Sequence, residues 1–278
     1  MGSEMRRLGA VSPNNYIFTD VAELDITNGV AVALFVKQHS IEAIVNCAAY
    51  TNVDKAESDA ATAELINATA VGNLAVAAKE VNATLFHIST DYVFGCEGNT
   101  PRTEEMPTAP LGVYGQTKLL GEQAIAKSGC KALIFRTAWL YSEFGNNFLK
   151  TIMRLTAERK QLNVVFDQVG TPTYAGDLAL AIFSIIEAGV YPGNEGIYHF
   201  SNEGACSWYD FAVEIAAAAG NTGCRISPCH SSEFPSPVTR PPYSVLDKTK
   251  IKNTFDIEIP HWRESMEYCI KRIKAQSR

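Results

Sequence analysis

Tyr114 and Lys118 stand four residues apart in LGVYGQTKLLGEQAIAKSG, a stretch with the spacing of an amphipathic helix. Positions i and i+4 share a helix face, so the ammonium can reach the space beside the phenol. A nearby positive charge favours the phenolate and pulls a tyrosine below its free pKa of about 10. Such a tyrosine can hand a proton to a carbonyl oxygen while hydride arrives at the carbon. The spacing alone is weak, because eleven tyrosines supply about one Y-x-x-x-K by chance in a chain of this length. An exposed pair beside a buried stripe is the plain alternative. A third residue narrows the choice. STDYVFG (Ser89–Gly95) follows a run with strand character, so Ser89 and Thr90 emerge at a strand's carboxyl end. In a doubly wound sheet the start of the following helix lies at that same edge. Thr90 and Tyr114 then flank one carbonyl oxygen.

The elements that must position these residues alternate. NYIFTD (Asn15–Asp20), IEAIVNCAA, TLFHIST, KALIFRTAWLY and LNVVFD read as five strands in order. Helical patterns lie between them: GVAVALFVKQH, capped by Asp25 or Thr27, one long helix over Asp59–Val81, the Tyr114 helix, and Asn147–Arg159. Strand-then-helix alternation predicts an α/β fold, a doubly wound parallel sheet covered on both faces. After Asp167 the pattern loosens. A helix within GTPTYAGDLALAIFSIIEAG, a strand GIYHFS, a helix with Ser207 as N-cap and a closing helix HWRESMEYCIKRIK are expected. SPCHSSEFPSPVTRPPYS between them should be irregular and exposed. This tail reads as a smaller C-terminal lobe set over the strands' carboxyl ends, where a substrate can bind.

Composition excludes several function classes. With 278 residues, 46% hydrophobic and 19% charged, the chain is an ordinary globular one with a sizeable core. The net charge of −6 and the lack of a basic run argue against nucleic acid and membrane surfaces as partners. No apolar run of spanning length and no secretory leader is visible. The seven cysteines are odd in number and form no C-x-x-C, which suits reduced thiols in a cytoplasmic protein. Cys224, Cys229 and His230 lack a second ligand pair, so no metal site is expected.

Six ordered blocks carry a resemblance: VNCAAYTNVDKAE, NATAVGNLA, STDYVFGCEG, PLGVYGQTKLLGE, FRTAWLYSEFGNNF and DQVGTPTYAGDLA. Together they resemble the dTDP-4-dehydrorhamnose reductases, within the extended short-chain dehydrogenase/reductase superfamily. The resemblance covers nearly the whole chain and fades through the proline-rich stretch. It implies a Rossmann-like dinucleotide-binding domain over 1–166 and a mainly substrate-binding lobe over 167–278, with elements that return to the main domain. It implies reduction of the 4-keto group of dTDP-4-dehydro-L-rhamnose to dTDP-L-rhamnose by NADPH or NADH, a sugar nucleotide as small-molecule partner, and leaves a homodimer open. A regulatory subunit resembling the methionine adenosyltransferase beta type, and a sugar-nucleotide epimerase, are the rival readings.

In such an enzyme Tyr114 is the proton donor and Lys118 holds the nicotinamide ribose and lowers the tyrosine's pKa. Thr90 bonds the substrate carbonyl, with Asp91 beside it. Trp139 matches a sugar-nucleotide contact, with a core tryptophan as the equal alternative. Asn46, Ala48 and Ala49 match the strand end beside the cofactor's adenosine and ribose, and Asp25 and Ile26 a position near the adenine. Asp20, ending the NYIFTD strand, can bond the ribose 2′-hydroxyl and leans toward NADH, with NADPH left open. Arg240 can clamp the diphosphate, although a solvated loop arginine is the plainer reading. His87, His199 and His261 are read as structural. The opening MGSEMRRLGA reads as the helix after a glycine loop, with Gly2 matching only the last glycine of G-x-x-G-x-x-G. The first strand and earlier glycines are missing from the pattern. The expectation is a clipped start at an internal position, or a short inactive form, marginally stable and binding dinucleotide poorly.

Overall fold

The computed structural model describes residues 1–234 and 236–276. Its central sheet is parallel, with β1 (Ala43–Asn46), β2 (Thr84–Thr90), β3 (Lys131–Thr137) and β5 (Gly196–His199) side by side in that order. Successive side chains of a strand face opposite sides, and these strands are apolar on both. Leu85, Ala132 and Ile134 join one core with α2 (Gly29–Gln38) and α3 (Ala70–Glu80), which contribute Val32, Val36, Val71 and Leu74. Phe86, Leu133 and Phe135 point the other way, onto Leu178, Ile182 and Ile185 of α6 (Ala175–Glu187) and Met5 of α1 (Gly2–Gly9). Ile251 of α8 (Thr249–Phe255) completes that layer. The chain is therefore an α/β protein with a Rossmann-like parallel sheet.

A second core lies beyond the sheet's carboxyl edge. Leu149 and Ile152 of α5 (Phe148–Glu158), Phe211 and Ile215 of α7 (Trp208–Ala219), and Trp262 and Met266 of α9 (Trp262–Gln276) pack around Tyr141 and Tyr174. Ser207 caps α7 in a capping box with Asp210, as its position before the helix predicts.

Several elements differ from expectation. Residues 15–20 form no strand. A strand needs a neighbour for its backbone groups, and β1 pairs with β2 alone. Side chains hold this segment instead: Tyr16 stacks on Phe183 and donates to Glu187 at 2.6 Å. Asn28, rather than Asp25 or Thr27, caps α2. Asp25 is occupied by Thr27, whose N–H and hydroxyl it accepts at 2.9 and 2.8 Å. The helix over Asp59–Val81 is interrupted by a π turn at Leu65–Thr69. The fifth strand, β4 (Gln161–Val165), leaves the main sheet and pairs with β6 (Arg225–Cys229) in the lobe. That pairing also puts Ser227–Cys229, expected to be irregular, in a strand. Val238, Pro241 and Ser244 of the same stretch are buried. Pro235 lies outside the described residues.

Candidate active site

β2 ends at Ser89–Thr90, level with Arg136–Thr137 of β3. The chain then turns through a single 3₁₀ turn, Asp91–Val93, which Thr90 caps by accepting from the Tyr92 N–H at 3.2 Å. This fixes the Thr90 side chain at the sheet edge. α4 (Val113–Ser128) starts beside it, anchored where Glu57 accepts from the Val113 N–H at 2.8 Å. A side chain at Gly115 would collide with the Tyr92 carbonyl, so the first turn of α4 can press against the strand end only with glycine there. Tyr92 and Tyr114 meet edge to face, with ring centres 5.6 Å apart.

The expected constellation assembles. The Thr90 hydroxyl lies beside the Tyr114 phenol, near enough to favour its ionised form. Thr90 donates to Asp91 Oδ1 at 3.1 Å, and Ser244 lies near the same carboxyl, favouring its ionised form. Lys118 is buried, donating from Nζ to the Ile88 carbonyl at 2.6 Å. One part of the expectation fails. Tyr114 is not acidified: burial pushes its phenol up to about 12, and the charge of Asp91 adds to the rise. Lys118 turns its Nζ to the Ile88 carbonyl behind the tyrosine, and desolvation sets the direction of the phenol's shift. Burial lowers Lys118 itself to about 8. Asp91 is raised to about 7 by burial, against the pull of Thr90 and Ser244.

Beneath this edge lies a buried ion pair. Arg136 donates to both carboxylate oxygens of Glu122, at 3.0 and 2.7 Å, and Ser89 donates to the same carboxylate at 2.5 Å. Thr90 therefore follows a residue locked to α4.

A cleft opens beside Asp91 and Tyr92, lined by Trp139, Gln168, Trp208, Arg240 and Ser244. β3 stops at Thr137 because Trp139 takes a left-handed backbone, φ 48°, so the expected continuous strand through Tyr141 is broken. Its indole lies face to face with that of Trp208, 3.5 Å between centres and 10° between planes. Gly170 leaves room for it: a Cβ there would meet Trp139 at 2.7 Å and Ser244 Oγ at 2.8 Å. Trp139 is thus a wall of the cleft. Arg240 is a half-buried loop residue. It pairs with Asp54 at 3.2 Å and lines the cleft, and its buried Nε has no partner among the described residues.

The residues expected beside a dinucleotide are more scattered. Gly2 starts α1, and a Cβ there would meet only Cys47, at 3.9 Å. Ala48 is exposed and Ala49 half-buried just past β1. Asn46 is turned inward, its Oδ1 accepting from the Ala48 N–H and its Nδ2 facing His87, both at 3.1 Å. Asp20 is exposed in a turn, where its carboxylate accepts from the Val21 N–H, and it ends no strand. Ile26 gives its carbonyl to Asn73 at 3.1 Å. Among the described residues no group of three or more His, Cys, Asp or Glu is placed to hold a metal ion, and no helix is long and apolar enough to cross a membrane.

Residues 1–275 match the family model described as RmlD substrate binding domain. The chain belongs to this family. A dTDP-4-dehydrorhamnose reductase of Burkholderia thailandensis is 39% identical over 266 residues, which cover 91% of this chain and 89% of the relative. The crystal structure of a dTDP-4-dehydrorhamnose reductase from Clostridium acetobutylicum superposes with a TM-score of 0.93 at 42% identity, covering 98% of this chain and 95% of that one. Another from Bacillus anthracis, solved in complex with NADP, gives 0.90 at 37% identity over the same shares.

For this RmlD-family chain, sequence reasoning missed Trp208, Gln168 and Ser244. Trp208 was legible only as the residue after a helix cap, and Ser244 lies inside a proline-rich stretch. Neither has a spacing that points to Trp139 or Asp91, since tertiary packing alone brings them together.

Proposed function

We propose that the chain is an NAD(P)H-dependent ketoreductase that converts dTDP-4-dehydro-L-rhamnose to dTDP-L-rhamnose. The observation that carries this reading is the hydroxyl pair of Thr90 and Tyr114 at a strand end, with Lys118 one helical turn behind, in a chain that matches reductases along its length. The nicotinamide cofactor, when bound, supplies the hydride. Open space at Gly2, the exposed Ala48 and the half-buried Ala49 suit a nucleotide lying across the end of β1. Lys118 uses one N–H on Ile88 and as an ammonium has two more for ribose hydroxyls.

Tyr114, kept protonated by burial, gives its O–H proton to the keto oxygen, and Thr90, turning its single O–H away from Asp91, donates a second hydrogen bond to that oxygen. Asp91 orients the sugar hydroxyls beside it. Trp139, braced by Trp208, forms the wall for the sugar, and Arg240, which lines the same cleft, clamps the diphosphate. Residues 1–166 form the dinucleotide side and 167–278 mainly the substrate side. The unpaired state of all seven cysteines suits a cytoplasmic location.

Cofactor oxidation on adding dTDP-4-dehydro-L-rhamnose tests the reading. Tyr114→Phe should lower kcat about 10²–10⁴-fold while sugar-nucleotide affinity stays within a few-fold. An undiminished rate in that variant rules out the proton-donor role.

A further inference from the structure

His87 is fully buried on β2, behind the lysine, and the reaction as described does not use it. Its surroundings fix its protons. Asn46 Oδ1 is occupied by the Ala48 N–H at 3.1 Å, which turns the amide Nδ2 toward His87 Nδ1 at 3.1 Å. An amide nitrogen only donates, so Nδ1 accepts, and the neutral ring carries its hydrogen on Nε2. That Nε2 faces Lys118 Nζ at 3.4 Å.

An ammonium has three donors and no acceptor. Set against an N–H it meets donor with donor, whereas the lone pair of the free amine accepts. The bond from Nζ to the Ile88 carbonyl at 2.6 Å serves either form. We propose that His87, locked in one tautomer by Asn46, is a positioning residue that acts through Lys118 and biases it toward the neutral amine. The inference rests on the reading of Lys118 as part of the reductase site.

The other charged and titratable groups around Lys118 do not duplicate this effect. Glu122, one turn along α4, favours the ammonium, but its carboxylate is held by Arg136 of β3. Tyr114 is kept neutral by burial, and Asp91 stands beyond the strand end with Thr90 and Ser244. His87 cannot itself become the cation, since burial and the Lys118 charge hold it well below the usual histidine range. With Lys118 brought down to about 8, a small added bias changes its charge within the working pH range.

The test compares His87→Phe, His87→Gln and Asn46→Asp with the parent. Lys118 is titrated by NMR in cofactor-free protein with ¹⁵N-labelled lysine, and kcat/KM is followed against pH. Glutamine can accept from Asn46 and donate to Lys118, so His87→Gln should keep the parent titration. His87→Phe removes the opposing N–H, and Asn46→Asp reverses the tautomer. Both should raise the Lys118 midpoint by about one pH unit. The parent kcat/KM should then fall about tenfold between pH 7 and 9, and that of both variants only about twofold. A Lys118 titration unchanged in both variants, with only the melting temperature lowered, overturns the proposal. If His87→Phe does not fold, His87→Leu, smaller and equally without an N–H, decides in its place, because Asn46→Asp also adds a charge that raises Lys118 by itself. A shifted Lys118 midpoint in a protein that reduces no dTDP keto sugar would sink the reductase reading and leave the role of His87 standing.

Discussion

Replacing Glu122 by glutamine should show how much of the site's rigidity comes from one buried charge pair. The Glu122 and Arg136 side chains are 4% and 3% exposed. The carboxylate receives three hydrogen bonds, two from Arg136 and one from Ser89. Glutamine keeps the shape and removes the charge, and its NH₂ must face a donor. Arg136 then keeps one acceptor on the glutamine and the Phe94 ring, 5.1 Å away, but loses its counter-charge, and its Nη1 has no hydrogen-bond partner among the described residues even in the parent. Breaking one side of a buried pair costs about 3–5 kcal/mol. In a chain of this size that lowers the melting temperature by roughly 10 °C. Urea denaturation followed by circular dichroism measures it. Replacing both partners by methionine removes the two charges together and should recover most of the loss, to within about 1–2 kcal/mol of the parent. Because Ser89 precedes Thr90, Glu122→Gln should also lower kcat at temperatures where it is folded. A single-variant loss below about 1 kcal/mol, or a double variant worse than the single one, would refute this account of the pair.

Asp91 makes stability depend on pH. Its folded pKa of about 7 lies above the unfolded value of about 3.9, so the folded protein holds the proton more tightly. Its contribution is full below pH 4 and is lost as pH rises through 7, to an amount of about 4 kcal/mol at most. Asp91→Asn should flatten that part of the stability curve, and an unchanged slope between pH 4 and 7 would contradict the assignment. Gly170→Ala should push Trp139 off Trp208, because its Cβ would approach the indole at 2.7 Å. KM for the sugar nucleotide is expected to rise at least about tenfold (about 1.4 kcal/mol), with Trp139 fluorescence altered. An unchanged KM would remove Trp139 from the substrate wall.

The sequence by itself determined the sheet and the reacting edge. Strands buried on both faces must be apolar along their length, so TLFHIST and KALIFRT are visible as core strands wherever they pack. A hydroxyl at the end of one, and a tyrosine and lysine at i and i+4 of the next helix, are local facts with one geometric outcome. Tertiary structure decided the rest. NYIFTD has strand composition but no neighbour to pair with, and LNVVF finds its partner in Arg225–Cys229, 64 residues on. The pKa of Tyr114 also lay beyond the sequence, because spacing shows which charge is near but not how much water is lost. The same holds for the Trp139–Trp208 wall, the nearness of Asp91 to Ser244 and the His87 tautomer. Each depends on groups distant in the chain meeting where solvent is excluded, and burial sets the energy of such contacts more than sequence distance does.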